Sequence, residues 1–380
     1  MAFTPSFSIT APMLLAAESL GAAQAIATLL PLPLATERAL RRKTSIEVAH
    51  HSTWIENRTL ALEEAAAAIQ AKTADDPSRA KAAQEVRSYF QALELIDESL
   101  EVAADETWIR RLHACIMGGR RPGRPRELSE YRESNVRIGA YAYVPPAWQE
   151  VPALMAELAA WSCGPGRALP TYIFAGVLAY QFVTIHPFVD GNGRTCRALA
   201  TWALRRTHDP KGLLNVEELY VRDIDAYYDA LQMGLSAFYD QTDTRPNRAN
   251  ADLTPWLEYF CELVGEAAAA MRRAIEGSFR ERHADTLADP IAELPTELRR
   301  IVASLGALAE PINATDVAER VGVTTRTARE WLQRWRDAGW VEPTNPRAQR
   351  VHAVRLTSAW RAALGESEDG AAAPGQASGE

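Results

Sequence analysis

Twelve residues in the middle of the chain, His186-Pro-Phe-Val-Asp-Gly-Asn-Gly-Arg-Thr-Cys-Arg197, bring together an imidazole, a carboxylate, a glycine-bracketed asparagine and two guanidinium groups. Gly191, Asn192 and Gly193 permit a tight turn that aims backbone N–H groups inward at the start of a following helix, which makes a cradle for phosphate. Arg194 and Arg197 lie within one turn of that start. Two cations there oppose the helix dipole unless an anion offsets them, and a guanidinium meets anionic oxygens in bidentate fashion. Asp190 supplies a hard oxygen ligand, and one carboxylate with a triphosphate and several waters is a usual way of holding Mg²⁺. His186, an imidazole with an ordinary pKa of about 6.5, is suited to take a proton from an incoming hydroxyl. The bland alternative is a connector between helices with His186 as a helix cap. It leaves the coincidence of base, metal ligand and anion cradle without a reason.

This string matches, at every defined position, the HPFxDGNGRxxR signature of the Fic family. The resemblance implies that His186 is the general base for a Tyr, Thr or Ser hydroxyl of a target protein, or of the chain itself. It also implies that Asp190 is the metal ligand, that Asn192 binds phosphate, and that the Gly191 and Gly193 amides form an anion hole. Arg194 would then hold the β- and γ-phosphates and Arg197 the γ-phosphate. With ATP and Mg²⁺ as cosubstrate and cofactor, the transferred group is AMP. Phe188 is expected to anchor the turn in the core. The segment from Tyr131 to Pro146 resembles the family's target-aligning flap, and Val221 to Leu231 and Leu253 to Phe260 resemble its closing helices, so roughly residues 31–275 are covered.

Upstream, Ser52-Thr53-Trp54-Ile55-Glu56-Asn57 resembles the family's inhibitory pattern. Ser52 and Glu56 are four apart and share a helix face. Resemblance implies that Glu56 pairs with Arg197, takes the space of the γ-phosphate, and in some relatives positions a water that removes AMP from the target. The competing activities are therefore removal of AMP and transfer of another nucleotide. His50 and His51 beside it have no metal-ligand spacing and are read as packing or surface residues.

These residues need helices to position them, and the apolar spacing supplies them. Residues 44–72 are expected to hold at least two helices, with a long helix capped by Ser78 running on towards Glu101. Helical spacing returns at 150–162, 170–184, 194–208, 223–239 and 254–275. Between residues 118 and 146 the chain carries Gly, Pro and clustered Arg and then alternates, which predicts a loop and a short β-hairpin. The expected fold class is mainly α, and the resemblance implies a Fic-type helical bundle with a short β-hairpin flap, plus a C-terminal winged helix-turn-helix. The expected domains are 1–110, an N-terminal helical region with the inhibitory motif 52–57, and 111–285, the catalytic core with the flap at about 129–146 and the motif at 186–197. They are followed by the winged helix at 290–362 and a disordered tail at 363–380.

Composition agrees with a globular chain: 47% hydrophobic and 24% charged residues in 380, with a net charge of −8. That charge excludes a chain that is basic throughout, so any nucleic-acid binding must be local. Residues 290–360 hold ten Arg or Lys against eight acids. Within them, 314–339 resembles a bacterial helix-turn-helix, with Val321-Gly322-Val323 as the turn and residues 325–338 as the recognition helix. Arg347, Arg350 and Arg355 lie on the expected wing. DNA is one partner this allows, a second protein or a homodimer another. Trp331 and Trp335, four apart on that helix, suit packing against protein, and the non-enzymatic reading of the whole chain is a winged-helix DNA-binding regulator. The four cysteines are far apart, as in a reducing cytoplasm. The Ala- and Leu-rich stretch 9–35 has no basic residue before it, Glu18 interrupts it, and Pro12, Pro31 and Pro33 are expected to cut it into pieces too short to span a bilayer. The expectation is a cytoplasmic protein with no membrane partner.

Overall fold

The structure is a computed structural model that describes residues 3–30, 32–58, 60–70, 77–118, 128–139, 143–282, 294–295, 297–299, 301, 311–345 and 353–363. The chain divides into two compact units, residues 1–279 and 280–380.

The first unit is helical throughout its core. Its helices are α1 (Ala11–Leu29), α2 (Leu34–Asn57), α3 (Leu62–Gln70), α4 (Pro77–Asp97), α5 (Glu106–Ile116), α6 (Val151–Cys163), α7 (Thr171–Ile185), α8 (Asn192–Thr207), α9 (Glu217–Arg222), α10 (Ile224–Gln232) and α11 (Thr254–Arg282). Helix α7, TYIFAGVLAYQFVTI, has almost no exposed residue and lies along α8 at the centre of the bundle. Its uninterrupted apolar sequence follows from that position, because a helix covered on every side has no polar face. Trp202 of α8 and Trp256, Leu257 and Phe260 of α11 belong to the same core. Helix α2 packs on α4, α8 and α9, which carries its C-terminal end towards the start of α8. It stops at Arg58, which adopts the left-handed conformation at φ 45°. Asp105 caps α5 by accepting from Trp108 N at 2.7 Å, and Asp223 caps α10 from Ala226 N at 3.0 Å.

Several boundaries differ from expectation for local reasons. Pro12 falls in the first turn of α1, where its missing N–H costs nothing, so the helix runs unbroken for 19 residues and is long and apolar enough to cross a membrane. The expected fragmentation into short pieces is therefore wrong. Its Met13, Ala16, Leu20 and Ala23 pack into the core, while Leu14 and Leu15 are exposed. Helix α4 begins at Pro77, one residue before the Ser78 expected to cap it. The helix expected over 223–239 ends at Gln232, because Met233 and Gly234 take positive φ, 50° and 65°. The flap shows one antiparallel bridge, Ile138 to Tyr143, and a parallel bridge from Val144 to Phe238, while residues 140–142 lie outside the described residues.

In the second unit, α12 (Ala314–Val321) and α13 (Thr325–Asp337) are joined through Gly322 at φ 70° and followed by β1 (Val341–Pro343), β2 (Val354–Leu356) and α14 (Ser358–Ala363). β1 and β2 are antiparallel in the register Val341 to Leu356, and Val354 also bridges Ile312. Trp335 is buried with Leu298, Ile301 and Val317, and Trp331 packs partly buried beside it, so the two tryptophans serve this small core. Arg347 and Arg350 of the expected wing and residues 364–380 of the expected tail lie outside the described residues.

Candidate active site

The turn between α7 and α8 is built from both ends. His186 caps α7 in the left-handed conformation (φ 52°, ψ 58°), with its amide donating to Phe182 O at 3.1 Å. Its Nδ1 lies 3.2 Å from Val183 O, so this nitrogen carries the proton and Nε2 keeps its lone pair. Burial pushes the imidazole down to about 4, which leaves it neutral at pH 7. Gly191, at φ 77°, precedes the first residue of α8, and a Cβ there would fall 2.6 Å from Met117 Sδ. Phe188 is 1% exposed and stacks on the His113 ring at 3.6 Å between centroids. Asn192, also buried, accepts from Phe188 N at 3.0 Å and donates to Phe188 O at 2.9 Å. The oxygen and one N–H of its amide thus brace the turn, and the second N–H is the donor left for the phosphate that the resemblance assigns to it.

The two arginines already face carboxylates. Arg197, 3% exposed, donates from Nε to Ser52 Oγ (2.8 Å) and from Nη2 to Ser52 O (2.7 Å) and Glu56 Oε1 (2.9 Å). Burial opposes its charge, but Tyr227, Glu56 and other neighbours hold its pKa well above the ordinary value. The Glu56 carboxylate lies directly over Gly193, and any Cβ at Gly193 would collide with it. Asn57 Nδ2 donates to Glu85 Oε2. Arg194 is as deeply buried as Arg197 and approaches Asp190 at 3.3 Å and Glu85 Oε1 at 3.9 Å. The anion that two cations at a helix start require is here supplied by the chain itself.

His186, Gly193, Arg197 and Glu56 line one cavity partly open to solvent, with Ile138, Tyr143, Val183, Tyr227, Tyr228, Leu231, Gln232 and Arg248 completing its walls. Its mostly apolar, aromatic lining with a few convergent polar groups suits a small-molecule site.

Residues not singled out from the sequence hold this geometry. Arg132, 2% exposed, donates from Nε to His186 O (2.9 Å), from Nη1 to Ser134 O (3.0 Å) and from Nη2 to Pro146 O (2.6 Å), tying the flap to the turn. His113 bridges Ser129 Oγ (2.6 Å) and Asp190 O (2.8 Å), and burial lowers its pKa to about 4. Arg248 stacks its guanidinium 3.9 Å from the Tyr143 ring centroid. Each makes at least one contact to a backbone carbonyl or ring distant in sequence, which no local spacing signals.

Asp190 is exposed, with a side-chain exposure of 67%; one carboxylate oxygen accepts from Gly191 N at 2.6 Å. Among the described residues no three His, Cys, Asp or Glu side chains cluster as metal ligands. One accessible carboxylate beside two buried arginines fits a cation that draws its remaining ligands from phosphate oxygens and water, as Mg²⁺ does.

Residues 103–204 match the family model described as Fic/DOC family. They include the whole turn, whereas Ser52, Glu56 and Asn57 precede them. The chain is 27% identical over 212 residues to a protein from Drosophila yakuba named Protein adenylyltransferase Fic, covering 55% of this chain and 40% of that one. To the protein of the same name from Aedes aegypti it is 28% identical over 218 residues, covering 56% and 41%. The chain thus spans about two fifths of the length of these relatives. Its fold is similar to that of a Fic family protein from Desulfovibrio desulfuricans G20, at 24% identity and TM-score 0.54, covering 94% of this chain and 99% of that one. It is also similar to a Fic domain containing signaling protein from Bacteroides thetaiotaomicron, at 20% identity and TM-score 0.56, covering 70% and 97%.

Proposed function

The chain carries a Fic/DOC domain at residues 103–204, and from that premise we propose that it is a protein adenylyltransferase held back by its own Glu56. The observation that carries the reading is a neutral His186 and a charged Arg197 on one cavity, with Glu56 seated against the arginine.

The chemistry follows from the residues. A hydroxyl of a target protein, or of this chain, attacks the α-phosphorus of ATP and loses its proton to His186 Nε2. The new oxygen–phosphorus bond forms as the bond from the α-phosphorus to the bridging oxygen of the β-phosphate breaks, and pyrophosphate leaves. Arg194, Arg197 and the backbone amides at the start of α8 hold the β- and γ-phosphates, with Asn192 bracing the turn that presents them. Asp190 would hold Mg²⁺, which when bound neutralises charge on the phosphates. Arg132 fixes the backbone of His186 while leaving Nε2 free. With the γ-phosphate bound to Arg197, Glu56 has to leave. A charge-assisted carboxylate–guanidinium contact is worth about 1.5–3 kcal/mol, which corresponds to about one to two orders of magnitude in productive ATP binding.

The test uses ATP labelled at the α or the γ position with Mg²⁺, and wild type, Glu56→Gly and Glu56→Gly/His186→Ala proteins. The expected result is label on protein from the α position only, raised about 10–100-fold by Glu56→Gly and abolished by His186→Ala. Label from the γ position would mean a kinase; no transfer and no ATP binding by any variant would defeat the reading. Because Glu56 and His186 line the same cavity, hydrolytic removal of AMP is a second reading. Release of AMP from labelled target, dependent on Glu56, is its signature. For the second unit, we infer a winged helix over about 290–362 that contacts DNA or protein, supported by the paired helices and hairpin.

A further inference from the structure

Glu56 opposes only one of the two arginines. The other, Arg194, is equally buried, and among the described residues its Nε has no hydrogen-bond acceptor. Its guanidinium faces Asp190 on one side and Glu85 Oε1 on the other, at 3.9 Å. Glu85 belongs to α4, the helix that packs against both α2 and α8. Its side chain is 15% exposed, and the other cation facing it among the described residues is Lys81, at 4.0 Å and largely in solvent. The second oxygen of Glu85 accepts from Asn57 Nδ2, at the very end of the helix that carries Glu56. One carboxylate therefore spans the tip of α2 and a buried cation that must meet polyphosphate.

We propose that Glu85 is a second inhibitory carboxylate, which neutralises Arg194 while fastening the end of α2 through Asn57. The inference rests on the adenylyltransferase reading, in which Arg194 holds phosphate. A negative charge fixed about 4 Å from that guanidinium, in a site shielded from water, repels an arriving phosphate more than it would in open solvent. Asn57 links the two carboxylates: departure of the α2 end withdraws Glu56 from Arg197 and takes from Glu85 its hydrogen-bond donor. The pattern Ser52, Glu56, Asn57 then has a use for each member, with Ser52 and Glu56 on Arg197 and Asn57 on Glu85.

Glu85→Gln separates the two contacts, since an amide oxygen still accepts from Asn57 while the charge beside Arg194 is gone. Asn57→Ala removes the tether and leaves the charge. Calorimetric titration of the full chain with a non-hydrolysable ATP analogue and Mg²⁺ reads affinity without needing turnover. Wild type, Glu56→Gly, Glu85→Gln, Asn57→Ala and Glu56→Gly/Glu85→Gln are compared. The expected result is about 5-fold tighter binding for Glu85→Gln than wild type, tighter binding for the double variant than for Glu56→Gly, and a smaller gain for Asn57→Ala. Glu85→Gln binding no better than wild type while Glu56→Gly binds better overturns the proposal and leaves the adenylyltransferase reading standing. Weaker binding by the double variant than by Glu56→Gly also overturns it, by making Glu85 a support for Arg194. If Asn57→Ala matches wild type, the coupling between the two carboxylates is overturned. Absence of binding by every variant defeats the nucleotide reading and this proposal together.

Discussion

The turn from His186 to Arg197 and the end of helix α2 meet across Arg197, yet they are secured in opposite ways. The turn is fastened from every side: Asn192 to the Phe188 backbone, Phe188 under His113, and His186 O to Arg132. Helix α2 is packed as far as Ile55, and beyond it Glu56 and Asn57 are held by polar contacts alone. The Glu56 carboxylate keeps about a third of its surface in solvent, and the helix stops in a strained left-handed Arg58 just beyond. On the proposed reading, the group needed in every turnover is the one locked by packing and backbone hydrogen bonds. The group that would have to leave is held by side-chain contacts whose replacement by a ligand's phosphate is close to an exchange of like for like.

The contrast breaks most visibly at Phe188. Phe188→Ala removes a ring packed against His113, Tyr131 and Phe182 and is expected to cost about 3–5 kcal/mol of stability, read as a lowered denaturant midpoint, with transfer lost in the Glu56→Gly background. A variant that remains stable and active would mean that the turn is held elsewhere. Arg132→Ala comes next. It strips the donor from three carbonyls, those of His186, Ser134 and Pro146, at about 1–3 kcal/mol for buried groups left unpaired. Since the hydrogen bonds of Arg132 go to those three carbonyls and to none of the residues proposed to hold phosphate, in the Glu56→Gly background kcat should fall at least 10-fold while the KM for ATP changes little. A rise in KM with kcat intact would make it part of the binding surface instead.

The same contrast decides what is legible in the sequence. The turn compresses its candidate chemistry into twelve adjacent positions, so its residue types and their order are enough to propose that chemistry. The pairing of Glu56 with Arg197 is expected on resemblance, and the four-residue spacing puts Ser52 on the same helix face; the Ser52 contacts to Arg197 come from the structure. Arg132 and His113 escape such a reading, because their contacts cross 54 and 77 residues and end on backbone carbonyls, which accept from any donor. Glu85 is hidden for a similar reason: nothing in the local sequence of α4 distinguishes it from a solvent-facing glutamate. The helix pattern of the bundle is legible from apolar spacing. It misleads where backbone conformation overrides composition, at Pro12, where a first-turn proline does not break a helix, and at Met233, where positive φ ends one early.

Two smaller effects sharpen the comparison. Ser52→Ala removes the hydroxyl that accepts from Arg197 Nε but leaves Ser52 O and Glu56 in place. A net hydrogen bond of about 0.5–1.5 kcal/mol translates into a roughly 2–10-fold rise in transfer, below that of Glu56→Gly; equal activation would show that the hydroxyl, not the carboxylate, is the main latch.

The least effect is on the pH dependence of stability. His51 and His186 are both lowered by burial to about 4 from an ordinary 6.5, so between those values the unfolded chain binds protons that the folded chain refuses. Unfolding is then favoured as pH falls, and stability that is fully present above about 6.5 drains away towards 4. The thermal midpoint should drop by a few degrees between pH 7 and pH 5.5, and the drop should shrink in His51→Gln and again in His186→Gln. In the Glu56→Gly background, turnover corrected for folded protein should hold across the same interval, since His186 is already neutral there. A loss of turnover near pH 6.5 with the fold intact would mean that His186 titrates as an open, solvated imidazole, and that the enclosure separating the turn from the more exposed α2 end is not what sets its charge.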